Sequence, residues 1–195
     1  LLYLAFGRED FINALIMFAV GLAAIWAAIR YTLGNKPYGY AGLGDVFVIL
    51  FFGFVGVGGT AFLQIHEINV AVLLMSMSYG LLAAGVLNIN NLRDIDNDKA
   101  SGKYTLAARL GIKQAAWYQF ALVAFSFLFS LWYLNLNEQS DLKYLSLIGY
   151  IPIAINAYLV WQRRKNPHGL NPLLKGLSLS ILFEVLLFVT VLNLA

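Results

Sequence analysis

Apolar residues fall in six blocks of about twenty along the chain, near 11–30, 45–63, 69–88, 113–135, 143–161 and 174–194, and each block ends close to charge, glycine or proline. A hydrocarbon core of about 30 Å, crossed at 1.5 Å per residue, takes a helix of about 20 residues, so each block is long enough to span a bilayer once. The period-two alternation of a barrel strand is missing, and unpaired backbone in lipid is costly. The blocks are therefore expected to be helices. The expected fold class is all-α: a polytopic membrane protein whose helical bundle surrounds an apolar cavity, with residues 1–195 forming one transmembrane domain.

Composition agrees with that pattern. Hydrophobic residues make up 61% of the chain and charged residues only 12%, where a soluble domain carries roughly 25% charge. Cysteine is absent, which removes disulfides, a thiol nucleophile and cysteine metal sites from consideration. The opening LLYLAFGRED has no starting Met and no basic region ahead of a cleavage site, so it does not read as a signal peptide, and the chain is expected to begin within a longer protein.

Charge then orients the spans. Of the thirteen Lys and Arg, all but Arg8 and Lys143 fall on one side of a six-span bundle. The positive-inside rule makes that side cytoplasmic, and the expected location is the inner membrane with the active face toward the cytoplasm. On this parity the loops 31–44, 89–112 and 162–173 share one face and can build one site. Trp117 and Tyr118, with Trp132 and Tyr133 further along the same span, have the spacing of two interfacial belts, and packing between helices is an equal reading for any one of them.

The exception to the apolar pattern is NNLRDIDNDKASGKYT, which holds three of the ten carboxylates and three of the thirteen Lys and Arg. Asp94 and Asp98 are four residues apart, so a helix continuing past Asn88 puts them on one face and turns Asp96 away. Two carboxylates one turn apart can hold Mg²⁺, which keeps waters and takes one or two carboxylates together with substrate phosphates. Arg93, Lys99 and Lys103 add positive charge suited to phosphate oxygens. A calcium EF-hand loop would need Gly where Lys99 stands and Glu where Thr105 stands. The plainer alternative is a solvated loop whose positive charges only set topology.

The stretch NNLRDIDNDKASGKYTLAARLG resembles the second aspartate-rich motif of the UbiA superfamily of intramembrane prenyltransferases, most closely the 1,4-dihydroxy-2-naphthoate polyprenyltransferases. GNKPYGYAGLGDVFVILFFGFVGVGGT resembles the loop and helix two spans earlier in that subfamily. The resemblance implies transfer of a polyprenyl group from polyprenyl diphosphate to dihydroxynaphthoate, giving demethylmenaquinone in menaquinone biosynthesis, with Mg²⁺ as cofactor. It implies Asp94 and Asp98 as metal ligands and catalytic residues. Arg93, Lys99, Lys103 and Asn91 are implied for the diphosphate, joined by Lys36 and Tyr38 from the first loop. Membrane lipid is the expected surrounding and no nucleic acid is expected as partner. Such enzymes have nine helices and a first motif of the form NxxxDxxxD, which these residues lack, so the six spans are expected to be the last six of nine.

Other residues carry less. Glu184, near the middle of the last span, either faces the cavity or bonds a neighbouring helix. Asn156 and Pro152 read as interhelical hydrogen bonding and a kink. His66 and His168 read as bystanders, and Gly53, Gly56, Gly58 and Gly59 as sites of close helix approach. A prenyltransferase for another aromatic acceptor is an alternative. A phosphatidyl-group transferase would need a DG and AR pair ahead of its aspartates, and a transporter would place ionisable residues at mid-membrane.

Overall fold

The computed structural model describes residues 5–7, 10–33, 37–136 and 140–195, with side chains for all of these except Thr32 and Tyr38. Among the described residues, six helices are long and apolar enough to cross a membrane. They are α1 (Phe11–Thr32), α2 (Gly44–Ile65), α3 (Val70–Arg93), α6 (Ile112–Leu136), α7 (Asp141–Arg163) and α8 (Pro167–Leu194). Between α3 and α6 lie two short helices, α4 (Ile95–Ala100) and α5 (Leu106–Leu110). The chain is a multi-pass, all-helical membrane protein.

Local chemistry sets the helix starts. Asp10 caps α1 by accepting from the Asn13 amide at 3.3 Å, and Asn69 caps α3 by accepting from Val72 at 3.0 Å. Each side chain satisfies a backbone donor that has no partner within its own helix. Asn166 does the same for α8 through Gly169, with Pro167 at the first helical position, where its missing N–H costs nothing. That cap starts α8 well before the apolar block at 174, and so carries most of the loop expected at 162–173 into a helix.

Two spans are not simple α-helices. The middle of α2, Ile49–Gly58, is π-helical. There Gly53 lies against α3 so closely that a Cβ would clash with the Ser76 carbonyl oxygen and meet the Gly80 Cα at 3.0 Å. Glycine at both positions allows the two backbones to touch. The first part of α7, Asp141–Gly149, is 3₁₀ and becomes α-helical at Tyr150. Pro152 thereby falls in the first turn of the α segment, where no amide donor is needed. Asn156 donates to the Leu173 carbonyl at 2.9 Å, an α7–α8 bond that matches its expected role.

The central element is α3, the most buried span, while α1 buries hardly any of its residues. One face of α3 presents Leu82, Ile89 and Leu92 to a core completed by α6, α7 and α8. Polar bonds fix the register. Asn88 donates to the Ala115 carbonyl and to Gln119 Oε1 at 3.0 and 2.9 Å. Deeper in the bundle, the Ser78 and Tyr150 hydroxyls lie 3.0 Å apart and each lies 2.8–2.9 Å from the hydroxyls of Ser126 and Ser130, which ties α3, α6 and α7 together.

Candidate functional site

The charged turn forms where α3 stops. Asp94 leaves helical geometry (φ −96°, ψ 9°) and serves as both the last cap of α3 and the first of α4. The turn is retained, because the Asp98 amide donates to the Asp94 carbonyl at 2.8 Å. Gly102, at φ 73°, then reverses the chain, a conformation glycine adopts without steric cost. This brings the Lys103 amide back onto the Asp98 carbonyl at 2.8 Å.

Arg93 organises the region. Its Nε and Nη2 donate to the two carboxylate oxygens of Asp94 at 2.7 and 2.6 Å. Nη2 also donates to Asn90 Oδ1 at 2.8 Å and Nη1 to Asn171 Oδ1 on α8 at 3.2 Å. The bidentate bond holds the Asp94 carboxyl below its ordinary pKa of 3.8. Lys103 Nζ stands 3.2 Å from Asp98 Oδ1. The other oxygen, Asp98 Oδ2, is buried and accepts no hydrogen bond among the described residues.

Two spaces meet at Arg93. A polar cleft of about 460 Å³ is lined by Arg93, Asp94, Asp96, Asn97, Pro167, His168 and Asn171. On the membrane side, a cavity of about 740 Å³ between α2, α3 and α8 is walled by Phe52, Tyr79, Val86, Leu174, Ile181 and other mostly apolar residues. Asn90 lines that cavity and accepts a hydrogen bond from Arg93, which lines the cleft, so one bond links the two spaces. A second apolar cavity of about 430 Å³ lies between α1 and α2 and is lined by Tyr31 and Gly44. The Tyr31 phenol lies within electrostatic reach of Asp98 and Lys103.

The three expected loops do meet. The Tyr104 amide donates to the Tyr40 carbonyl at 3.0 Å, and Arg109 Nη2 to the Ala41 carbonyl at 2.9 Å, joining the loop before α2 to the charged turn. Arg93 joins that turn to the start of α8 through Asn171.

The aspartates are arranged differently from the simple spacing argument. Asp96 shares the open cleft with Asp94, while Asp98 turns inward to Lys103. The physical reason is the break at Asp94, which ends the α3 face from which the spacing was counted. Lys99 is exposed, and Asn91 is buried, its Oδ1 accepting no hydrogen bond among the described residues, and does not line the cleft. Lys36 lies outside the described residues, as does the Tyr38 side chain.

His168, read from sequence as a bystander, lines the cleft. Asn90 and Asn171 did not stand out in the sequence. Their signal was positional: both are amides beside a helix end on the face where the positive charges gather. No group of three His, Asp or Glu converges among the described residues, so a cation here would rest on the paired carboxylates and on ligand oxygens.

In mid-bundle, Glu184 is 1% exposed and interacts with the Tyr79 hydroxyl, while its Oε2 has no hydrogen-bond partner among the described residues. It packs against Gly149, where a Cβ would come within 2.8 Å of its Cα. Through Tyr79 it stands behind the wall of the larger cavity.

Comparison with known proteins bears on this arrangement. The chain is 44% identical to the 1,4-dihydroxy-2-naphthoate octaprenyltransferase of Haemophilus influenzae over 168 residues, which is 86% of this chain and 54% of the relative. It is 41% identical to the protein of the same name from Escherichia coli over 180 residues, 92% of this chain and 57% of the relative. The UbiA prenyltransferase domain-containing protein 1 of Dictyostelium discoideum is 30% identical over 160 residues, 81% of this chain and 48% of the relative. The chain thus spans about half the length of the curated relatives it matches. No solved structure matches it. The UbiA prenyltransferase pattern matches residues 1–174, which take in the charged turn, the cleft and most of the helices that wall the cavity, and the chain belongs to the UbiA prenyltransferase family.

Proposed function

We propose that this chain serves the transfer of a polyprenyl group from polyprenyl diphosphate to 1,4-dihydroxy-2-naphthoate at the cytoplasmic face of the inner membrane, releasing diphosphate and the ring carboxylate as CO₂ and giving demethylmenaquinone in its quinol form. The observation that carries the reading is the Arg93–Asn90 bond, which links a charged cleft to an apolar cavity of about 740 Å³. A prenyl diphosphate is divided in the same way. The names of the two bacterial relatives support the naphthoate acceptor and an eight-unit prenyl donor.

The chemistry asks for charge at one end and dryness at the other. Ionising the allylic C–O bond puts both electrons on the leaving diphosphate and leaves a cation on the prenyl carbon. Positive groups set for the leaving anion stabilise it more than they stabilise bound substrate, which lowers the barrier. Arg93 now bonds both oxygens of Asp94. Phosphate oxygens suit the same guanidinium fork, so Arg93 can pass from carboxylate to diphosphate and leave Asp94 open. Lys103 offsets the charge of Asp98, and Lys99 adds positive charge at the rim. Phe52 and Tyr79 are among the residues lining the apolar cavity, where a prenyl cation would be shielded from water.

The residues fit Mg²⁺: the buried, unbonded Asp98 Oδ2 is a ligand without a present partner, and Asp94 supplies a second carboxylate. When bound there, the ion would neutralise charge on the diphosphate.

The test is to supply membranes containing the protein with octaprenyl diphosphate and either dihydroxynaphthoate or 4-hydroxybenzoate, and to identify products by mass. Magnesium-dependent product with dihydroxynaphthoate alone is expected. Equal product with both acceptors would overturn the acceptor assignment, and absence of magnesium-dependent diphosphate release would overturn the transferase reading.

A further inference from the structure

A second built surface lies away from the charged turn, on the side formed by α6 and α7. At their shared cytoplasmic end, the Trp117 and Trp161 rings lie 4.8 Å apart, and the Arg164 guanidinium lies 4.0 Å above the Trp161 ring. Arg164 also donates to the Trp161 carbonyl, which fixes the guanidinium at the helix end. Lys113 stands one helical turn before Trp117 on the same face of α6, and Lys165 follows Arg164; both are exposed.

Beneath this head runs an apolar groove of about 500 Å³ between the same two helices. Phe120, Val123 and Phe127 of α6 face Leu147, Ile151 and Ala154 of α7 across it. Phe120 packs under Trp117, with centroids 5.4 Å apart, so the groove begins directly below the aromatic pair. The floor is closed by Tyr150, whose hydroxyl is occupied by the three buried serines. The groove therefore offers apolar surface along its length and positive charge only at its head.

We infer that this groove binds one anionic phospholipid, with an acyl chain along α6 and α7 and its phosphate at Arg164 and Lys113. The occupant is chosen by charge and depth. Tryptophan rings favour the level of the lipid headgroups, and basic residues at the cytoplasmic ends of helices attract anionic lipid. A soluble anion would use the head alone and leave the groove unfilled, while a second copy of this chain would bring its own positive charges against these. The site is independent of the transferase reading, since none of its residues belongs to the cleft or to the cavity at Arg93.

The experiment uses the purified protein in neutral detergent, with Trp fluorescence and thermal unfolding as readouts. Phosphatidylglycerol, phosphatidylcholine, the tail-free glycerophosphoglycerol and inorganic phosphate are added separately. Phosphatidylglycerol is expected to change Trp emission and raise Tm at concentrations roughly ten- to thirty-fold lower than phosphatidylcholine, a margin that two basic contacts supply. The Arg164→Gln, Lys113→Gln double variant should lose that preference, Arg164→Lys with Lys113 intact should keep most of it, and Ala154→Phe should weaken both lipids by filling the groove. Equal response to the two lipids, or a preference unchanged in the double variant, would overturn the proposal. So would an equal response to inorganic phosphate or to the tail-free headgroup, which would make this a free-anion site. Cross-linking of two copies through Ala154→Cys that lipid does not compete away would assign the groove to self-association instead.

Discussion

In mid-bundle, four hydroxyls from Ser78, Ser126, Ser130 and Tyr150 bond one another and carry no net charge, whereas at the end of α3 charged side chains are held with an oxygen to spare. The first group is fully buried and its members are mutually satisfied. It joins three helices in a medium that offers no hydrophobic drive for helices to associate, where such a bond contributes about 0.6 kcal/mol on average. In the second group Arg93 and Asp94 line a cleft, and Asp98 lies buried beside them. Arg93 bonds three partners on two helices, and Asp98 keeps one buried oxygen unbonded. Polar groups serve cohesion where their bonding is closed, and chemistry where it is open to a ligand.

The sharpest way to break this comparison is to remove charge at the open end. Asp94→Asn or Asp98→Asn is expected to lower prenyl transfer by roughly a hundredfold or more, the scale on which transition-state electrostatics is felt, with membrane insertion unchanged. Asp96→Asn should be milder, because Asp96 lines the cleft but is exposed and makes no ion pair within 4 Å among the described residues. Steady-state diphosphate release checks both.

At the closed end the effect should fall on stability. Tyr150→Phe keeps the ring and deletes one hydroxyl shared by three serines, and is expected to cost about 1–2 kcal/mol in unfolding from micelles. Diphosphate release per folded molecule should stay the same. A loss of turnover without loss of stability would place the serine–tyrosine layer in the chemistry.

How far the comparison was legible beforehand differs between its two halves. The charged turn was visible because acid and base are rare in this chain and crowd into one segment. The spacing of Asp94 and Asp98 was also visible, but the break that turns Asp96 into the cleft was not, since it depends on the Arg93 bond and on the return of Lys103 past Gly102. The serine–tyrosine layer was illegible. Its members are 48 to 72 residues apart from Ser78 along the chain, and single serines in apolar spans give no local signal. The place of Asn171 and His168 at the cleft was hidden by the N-terminal extension of α8, which follows from a proline and an asparagine cap rather than from hydrophobicity.

Glu184 lies between the two kinds of site and sharpens the line between them. Glu184→Gln keeps the shape and can still accept from Tyr79 while removing the ionisable oxygen. Turnover is expected to stay within about threefold, the size of one interhelical hydrogen bond of the average strength. A larger fall in turnover with unchanged Tm would move Glu184 to the functional side.

The smallest effect concerns pH. Because Arg93 holds the Asp94 carboxyl below its usual value of 3.8, the pair's contribution is present in full above about pH 4 and is lost only as pH falls through the lowered value. Protonation of Asp94 should therefore leave activity flat between pH 6 and 8. An acid limb near neutrality that vanishes in Arg93→Gln would contradict the ion pair.

The most direct test of the central claim is calorimetric binding of a non-hydrolysable prenyl thiodiphosphate to the detergent-solubilised protein, with and without magnesium, in the wild type and in Asp98→Asn. Magnesium should tighten wild-type binding by at least tenfold, the lower bound for an ion bridging carboxylate and diphosphate, and should have no effect on the variant. Equal magnesium dependence in the two proteins would show that the buried Asp98 carboxylate of α4 is not where the metal and diphosphate meet.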